Sequence, residues 1–103
     1  MEIIYHSKAL EEFEIQEFEI REKFSTVYEL IIYGHSRNKK KFKKIKRTIL
    51  FELRVKHLKL IYRGLGAYYK KNYFVNLVFF QKKSQKIPLR FIKLALKRYS
   101  DLN

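Results

Sequence analysis

The chain has 103 residues, 47% of them hydrophobic and 17% aromatic, with three Gly and one Pro; that supports one folded domain, 1–103, and excludes a disordered chain or long structureless loops. The absence of cysteine excludes disulfides and thiolate metal sites, and no apolar run approaches the length of a membrane span. The net charge of +14 implies a polyanionic partner, whether RNA, DNA or an acidic protein, because so large an excess otherwise repels itself.

The charge is divided along the chain. Residues 1–30 hold eight acids against three bases, whereas 31–103 hold 21 bases against Glu52 and Asp101. Met1 to Tyr5 lacks the basic stretch and apolar run of a secretory leader, and Glu2 to Tyr5 reads as a short strand. From Ser7 the residues Leu10, Phe13, Ile20, Phe24, Val27 and Ile31 recur at steps of three, four or seven, the stripe of an amphipathic helix. Thr26-Val27-Tyr28-Glu29 has the spacing of a capping box, which predicts a break near Ser25 and hence an acidic helical hairpin. Gly34 is the expected stop. Arg37 to Arg47 (RNKKKFKKIKR) carries eight bases in eleven residues. It reads either as a solvated connector or as a phosphate-contacting flap tethered by Phe42 and Ile45.

From Thr48 the period changes to two: Ile49, Phe51, Leu53 and Val55 face one way, Leu50, Glu52, Arg54 and Lys56 the other. A second strand is expected over Leu60 to Tyr69 and a third over Tyr73 to Gln81, joined by a tight turn at Lys71-Asn72. Gly64 and Gly66 predict a bulge or a close backbone approach. After Ile87-Pro88, the residues Ile92, Ala95, Leu96 and Tyr99 mark a final helix whose other face carries Arg90, Lys93 and Lys97. The order is β-α-α-β-β-β-α, an α+β domain with an N-terminal helical hairpin packed on a small antiparallel sheet and a C-terminal helix.

No Gly-rich phosphate loop, HExxH motif or RNA-recognition-motif signature is present, and His6, His35 and His57 lack metal-ligand spacing. What remains is a basic, aromatic sheet surface. Arg54 and Lys56 share the polar face of one strand with His57 at its end; Arg63 lies on the next strand, and Lys82-Lys83 end the third. Neighbouring strands lie about 5 Å apart, close enough for these side chains to converge on a phosphodiester, with Arg bidentate and Lys as a movable charge. The other reading is a generic basic face that makes positioning contacts only. His57 reads as a general acid or base, or as a surface residue. Tyr62, Tyr68, Tyr69, Tyr73 and Tyr99 either stack bases or fill the core.

Phe51-Glu52-Leu53-Arg54-Val55-Lys56-His57, Ile61-Tyr62-Arg63, the run FFQKKSQKIP from Phe79 to Pro88, and Leu94-Ala95-Leu96-Lys97-Arg98 resemble, in order and spacing, the phage Gp49-like branch of the RelE/HigB toxins. The resemblance covers residues 48–102. It implies a RelE-like fold and a cytoplasmic toxin of a type II toxin–antitoxin system, an endoribonuclease that cleaves mRNA on the ribosome and inhibits translation. Such enzymes need neither metal nor cofactor, because the RNA 2′-hydroxyl attacks its own adjacent phosphate. The implied partners are a cognate antitoxin of the helix-turn-helix type, the ribosome with its mRNA, and operator DNA only through the antitoxin; no membrane is involved.

Carried over residue by residue, the resemblance puts Arg54, Arg63 and Lys82 or Lys83 on the scissile phosphate; it supplies no acid or base, and His57 is the candidate for that role from its place at the end of the strand. Lys39, Lys40, Lys41, Lys43, Lys44, Lys46, Arg47 and Lys56 would hold flanking RNA. The final helix departs from the RelE pattern, since Ile92 stands where that helix carries a functional tyrosine. The related ParE branch implies a different target, DNA gyrase, and no catalysis; a basic nucleic-acid-binding module is a third reading. Because Arg54 and Arg63 are placed on a crowded basic face, removing either is expected to leave the fold intact.

Overall fold

A computed structural model describes residues 1–34, 40–81 and 86–102. The chain opens with strand β1 (Glu2–Tyr5), helices α1 (Ser7–Glu14) and α2 (Phe18–Ile32), and a short strand β2 (Phe42–Lys44). Strands β3 (Phe51–His57), β4 (Leu60–Tyr69) and β5 (Tyr73–Gln81) follow, then helix α3 (Leu89–Ser100). The α+β order is the one expected, with β2 added inside the basic run.

The helical hairpin turns at Ile15–Glu17 and not near Ser25. His6 caps α1 by accepting from the Lys8 N–H at 3.1 Å. The Ser25 hydroxyl donates back to the Arg21 carbonyl and the Thr26 hydroxyl to the Glu22 carbonyl, so both stay inside α2. With Ile20, Phe24, Val27 and Ile31 forming one buried stripe, packing holds α2 straight through the expected break. Gly34, at φ +72°, ends it in the left-handed region.

The sheet order is β1-β5-β4-β3-β2. It is mixed and not wholly antiparallel, because β1 lies parallel to β5. The hairpin α1–α2 covers one face, packing Phe24, Val27 and Ile31 on Leu53, Val55, Phe74 and Phe79. Helix α3 covers the other, with Phe91, Ile92, Leu94 and Ala95 against Leu65, Leu77, Val78 and Phe80.

The bulge anticipated in β4 is present. The register shifts between Leu65 and Gly66, and a Cβ at Gly66 would lie 2.6 Å from the Val75 carbonyl oxygen and 2.5 Å from the Phe74 ring. The β4–β5 loop is three residues, Lys70 to Asn72, with Lys70 at φ +51°. That is one residue longer than the turn expected.

Strand β1 covers β5 only as far as Asn76. Beyond it the edge of β5 is closed by side chains: the Phe79 N–H donates to Glu12 Oε1 at 3.0 Å, and the Leu77 carbonyl accepts from Arg98 Nη1 at 2.8 Å. Glu12 and Arg98 also hold each other through two bonds of 2.9 and 2.8 Å. One ion pair thus joins α1 to α3 across the sheet edge and satisfies backbone groups that would otherwise invite pairing. Arg98 belongs to the C-terminal sequence signature, and its visible work is structural.

Candidate nucleic-acid interface

The site begins with the anchoring of the basic run. Phe42 is buried and stacks on Phe51 with ring centroids 4.9 Å apart, and it lies opposite Leu53 in the β2–β3 register. That apolar contact gives a lysine-rich segment a reason to form a strand. The Arg54 N–H then donates to the Lys41 carbonyl at 2.9 Å, which draws Lys40 and Lys41 toward the outer edge of β3. Lys44 is held differently: its Nζ donates to the Thr48 carbonyl at 2.6 Å, steadying the turn into β3.

A cleft of 540 Å³ opens between this segment, β3 and α2, lined by Lys23, Thr26, Lys40, Lys41, Arg54, Val55, Lys56 and Ile61. The lining wraps round the edge of β3: nearly buried Val55 faces the hairpin, Ile61 lies opposite Lys56 on the other face, and Lys23, Lys40, Lys41, Arg54 and Lys56 supply five cations. Of the RNA-contacting residues expected from sequence, Lys40, Lys41 and Lys56 meet here beside Arg54. Lys43, Lys44, Lys46 and Arg47 are exposed on β2 and the following turn, outside the cleft. Lys39, Lys82 and Lys83 lie outside the described residues.

Lys23 was missed by the sequence reading. It is one of three bases in the acidic N-terminal third, and its Nζ donates to the Lys56 carbonyl at 2.7 Å, binding α2 to the edge of β3. Only tertiary packing places it there, although a lone Lys within an acidic helix was the signal available.

Arg54 and Arg63 are cross-strand partners, so both sit on the face that α3 covers. Their surroundings differ. Arg63 is 1% exposed, the largest fully buried side chain among the described residues. Its Nε lies 3.0 Å from Glu52 Oε2, an ion pair whose geometry falls short of an aligned hydrogen bond, and Nη1 has no hydrogen-bond partner. Glu52 is itself only 15% exposed. Arg63 is therefore not an accessible member of a crowded basic face. Removing it would strand a mostly buried carboxylate, which overturns the expectation that its loss spares the fold. Glu52, one of two acids in residues 31–103, is the second residue whose place the sequence did not disclose.

His57 is not brought to Arg54 and Arg63. Alternation along β3 turns it, like Val55, toward the helical hairpin, where its donor atoms and those of Glu17 and Glu19 lie within 4.8 Å of one another. Its Nδ1 is buried without a hydrogen-bond partner. Among the described residues this is the one group with the composition of a metal site. Glu17 is the N-cap of α2, and the positive end of a helix disfavours a cation there. The tyrosines mostly serve packing: Tyr62 joins one core cluster, and Tyr69 and Tyr99 the other. The Tyr69 and Tyr99 hydroxyls donate to the carbonyls of Leu102 and Tyr68. Ile92, at the position of the RelE tyrosine, is packed against the core.

No described helix is long and apolar enough to cross a membrane. A family model described as phage derived protein Gp49-like (DUF891) matches residues 11–100. A search of curated proteins finds no match.

Proposed function

The chain belongs to the phage-derived Gp49-like family, a toxin–antitoxin-like toxin family with a cognate antitoxin as the expected partner, and on that premise we propose that it is a cytoplasmic, ribosome-dependent mRNA endoribonuclease. The observation that supports this reading most is the cleft in which Arg54, Lys56, Lys40, Lys41 and Lys23 surround one space. Arg54 offers a planar pair of donors for a phosphate, and the lysines neutralise the flanking backbone as point charges.

On this reading the RNA 2′-oxygen attacks the adjacent phosphorus and its proton is released. The bond from phosphorus to the 5′-oxygen breaks and that oxygen takes up a proton from water, leaving a 2′,3′-cyclic phosphate and a 5′-hydroxyl. Arg54 stabilises the charge that builds on the phosphoryl oxygens. Arg63, ion-paired to Glu52 beside its register partner, adds no net charge there and supports the strand that carries Arg54. His57, on the far face, serves the α2–β3 contact and not proton transfer.

The test is cell-free translation with the purified protein. Translation should stop, and the message should be cut only when ribosomes are present. Uncut message with translation unaffected, together with gyrase-dependent DNA breaks in cells, would contradict the proposal and favour the gyrase-directed reading.

A further inference from the structure

We propose that the tip of the helical hairpin is a knob that docks on a lysine- and arginine-rich protein surface; this rests on the ribosome-directed reading above, in which the ribosome would offer such a surface beside its RNA. Ile15 closes α1 and is 83% exposed, and Phe18 opens α2 and is 62% exposed. Leu58, in the turn between β3 and β4, is 80% exposed. The two turns adjoin, since donor atoms of Glu17, Glu19 and His57 lie within 4.8 Å of one another. Three large apolar side chains thus stand exposed at one end of the molecule, the arrangement of a contact site and not of scattered surface residues. Leu58 also holds φ +58°, which Gly or Asn adopts at less cost, so the turn itself gives no reason for a leucine.

Charge decides what covers the knob. Glu14, Glu17, Glu19 and Glu22 flank Ile15 and Phe18 in sequence; all four are exposed, and no ion pair engages them among the described residues. Against them stand Lys59, beside Leu58, and Arg21, whose guanidinium lies 5.9 Å from the Phe18 ring centroid. RNA and an acidic antitoxin segment are repelled by such a tip, and a second copy of the chain brings +14 against +14. A basic protein surface fits it in two ways: lysine and arginine stems cover the apolar side chains while their charged heads reach the carboxylates. Lys23, which lines the cleft, is one helical turn beyond Glu19. The knob therefore lies next to the cations that hold RNA, and a partner made of RNA and basic protein meets both.

The experiment compares wild type, Ile15→Ser with Phe18→Ser, and Glu17→Gln with Glu19→Gln. Three probes are used: purified ribosomes, naked single-stranded RNA, and a peptide of alternating Lys and Leu. Both variants change exposed positions only, and thermal melts check that they fold. Each should bind ribosomes and the peptide about 10- to 30-fold more weakly than wild type, and naked RNA at least as tightly. Unchanged affinity for both ribosomes and the peptide would overturn the knob. An equal loss toward naked RNA would overturn it as well, by making the tip part of the RNA surface. Wild-type dimers in light scattering that Ile15→Ser with Phe18→Ser dissolves would assign the tip to a second copy, against the proposal. Wild type that fails to bind ribosomes yet binds the peptide, with loss in both variants, would remove the ribosome-directed reading and leave the knob standing.

Discussion

Two arginines that face each other in the sheet should respond to replacement in opposite ways. Arg54 borders the cleft and is partly exposed. Arg54→Ala should therefore leave stability within about 0.5 kcal/mol of wild type, while cleavage falls by about 10²–10³-fold through loss of one positioned donor. Arg63 is buried against Glu52, and Arg63→Ala should destabilise by about 3–5 kcal/mol by leaving that carboxylate unpaired. Replacing both partners, Glu52→Leu with Arg63→Met, should recover most of the stability, because a buried ion pair contributes little over well-packed apolar residues. Melts and cleavage assays on the same preparations check all three, and an Arg63→Ala protein as stable as wild type would contradict the placement. Tyr28 gives a second prediction at this scale. Burial pushes its pKa far above the ordinary value of 10.0, with Tyr5 beside it raising it further. Tyr5 is raised as well, again through burial. In the unfolded chain both ionise near the ordinary value, so their contribution to stability is complete below pH 10 and is lost as pH rises above it. A melting temperature that falls in alkali, and falls less in Tyr28→Phe, is the expected outcome.

Among the secondary-structure elements, the junction of α1, β5 and α3 depends on Glu12 and Arg98. Arg98→Ala removes both charge-assisted bonds to Glu12 and exposes the Leu77 carbonyl at the edge of β5. The expected cost is about 3 kcal/mol, with concentration-dependent association through the opened edge; melting and light scattering read the two effects. Arg98→Lys should recover part of the stability and none of the bidentate geometry. The limits of β4 and β5 were legible in the sequence because alternation, two glycines and flanking turn residues agree there. The break in the helical hairpin was misplaced because Ser25 and Thr26 satisfy their hydroxyls against the preceding turn, which capping chemistry alone does not reveal. Strand β2 was hidden in a run of lysines, since its reason to form is the Phe42–Phe51 stack across two strands. In the candidate site, the meeting of Arg54 with Lys40, Lys41 and Lys56 follows from strand alternation and the tether at Phe42. The burial of Arg63 and the arrival of Lys23 do not, because each depends on a partner that no local spacing brings near: Glu52 one strand away, and the Lys56 carbonyl 33 residues along.

At the scale of the whole molecule the charge is arranged to act. The acidic residues gather in α1 and α2, and the elements from β2 to α3 carry the excess of bases, so the charge that a polyanion would meet is segregated by element. Binding to single-stranded RNA should weaken steeply with salt. At about −0.7 in log–log slope per phosphate contact, a strand held by the five cations of the cleft gives a slope of about −3.5; a salt-independent affinity would contradict the electrostatic account. Lys23→Ala should lower that slope by about 0.7 if its charge meets the strand, and this separates it from a residue that only ties α2 to β3. Growth arrest through cutting of translated messages is tested by sequencing the 5′ ends of mRNA in cells after brief induction of wild type and of Arg54→Ala at equal expression. New 5′-hydroxyl ends within coding regions are expected for wild type, absent when initiation is blocked and absent for Arg54→Ala. Growth arrest by wild type with no new ends, or the same ends from Arg54→Ala, would contradict the ribonuclease reading.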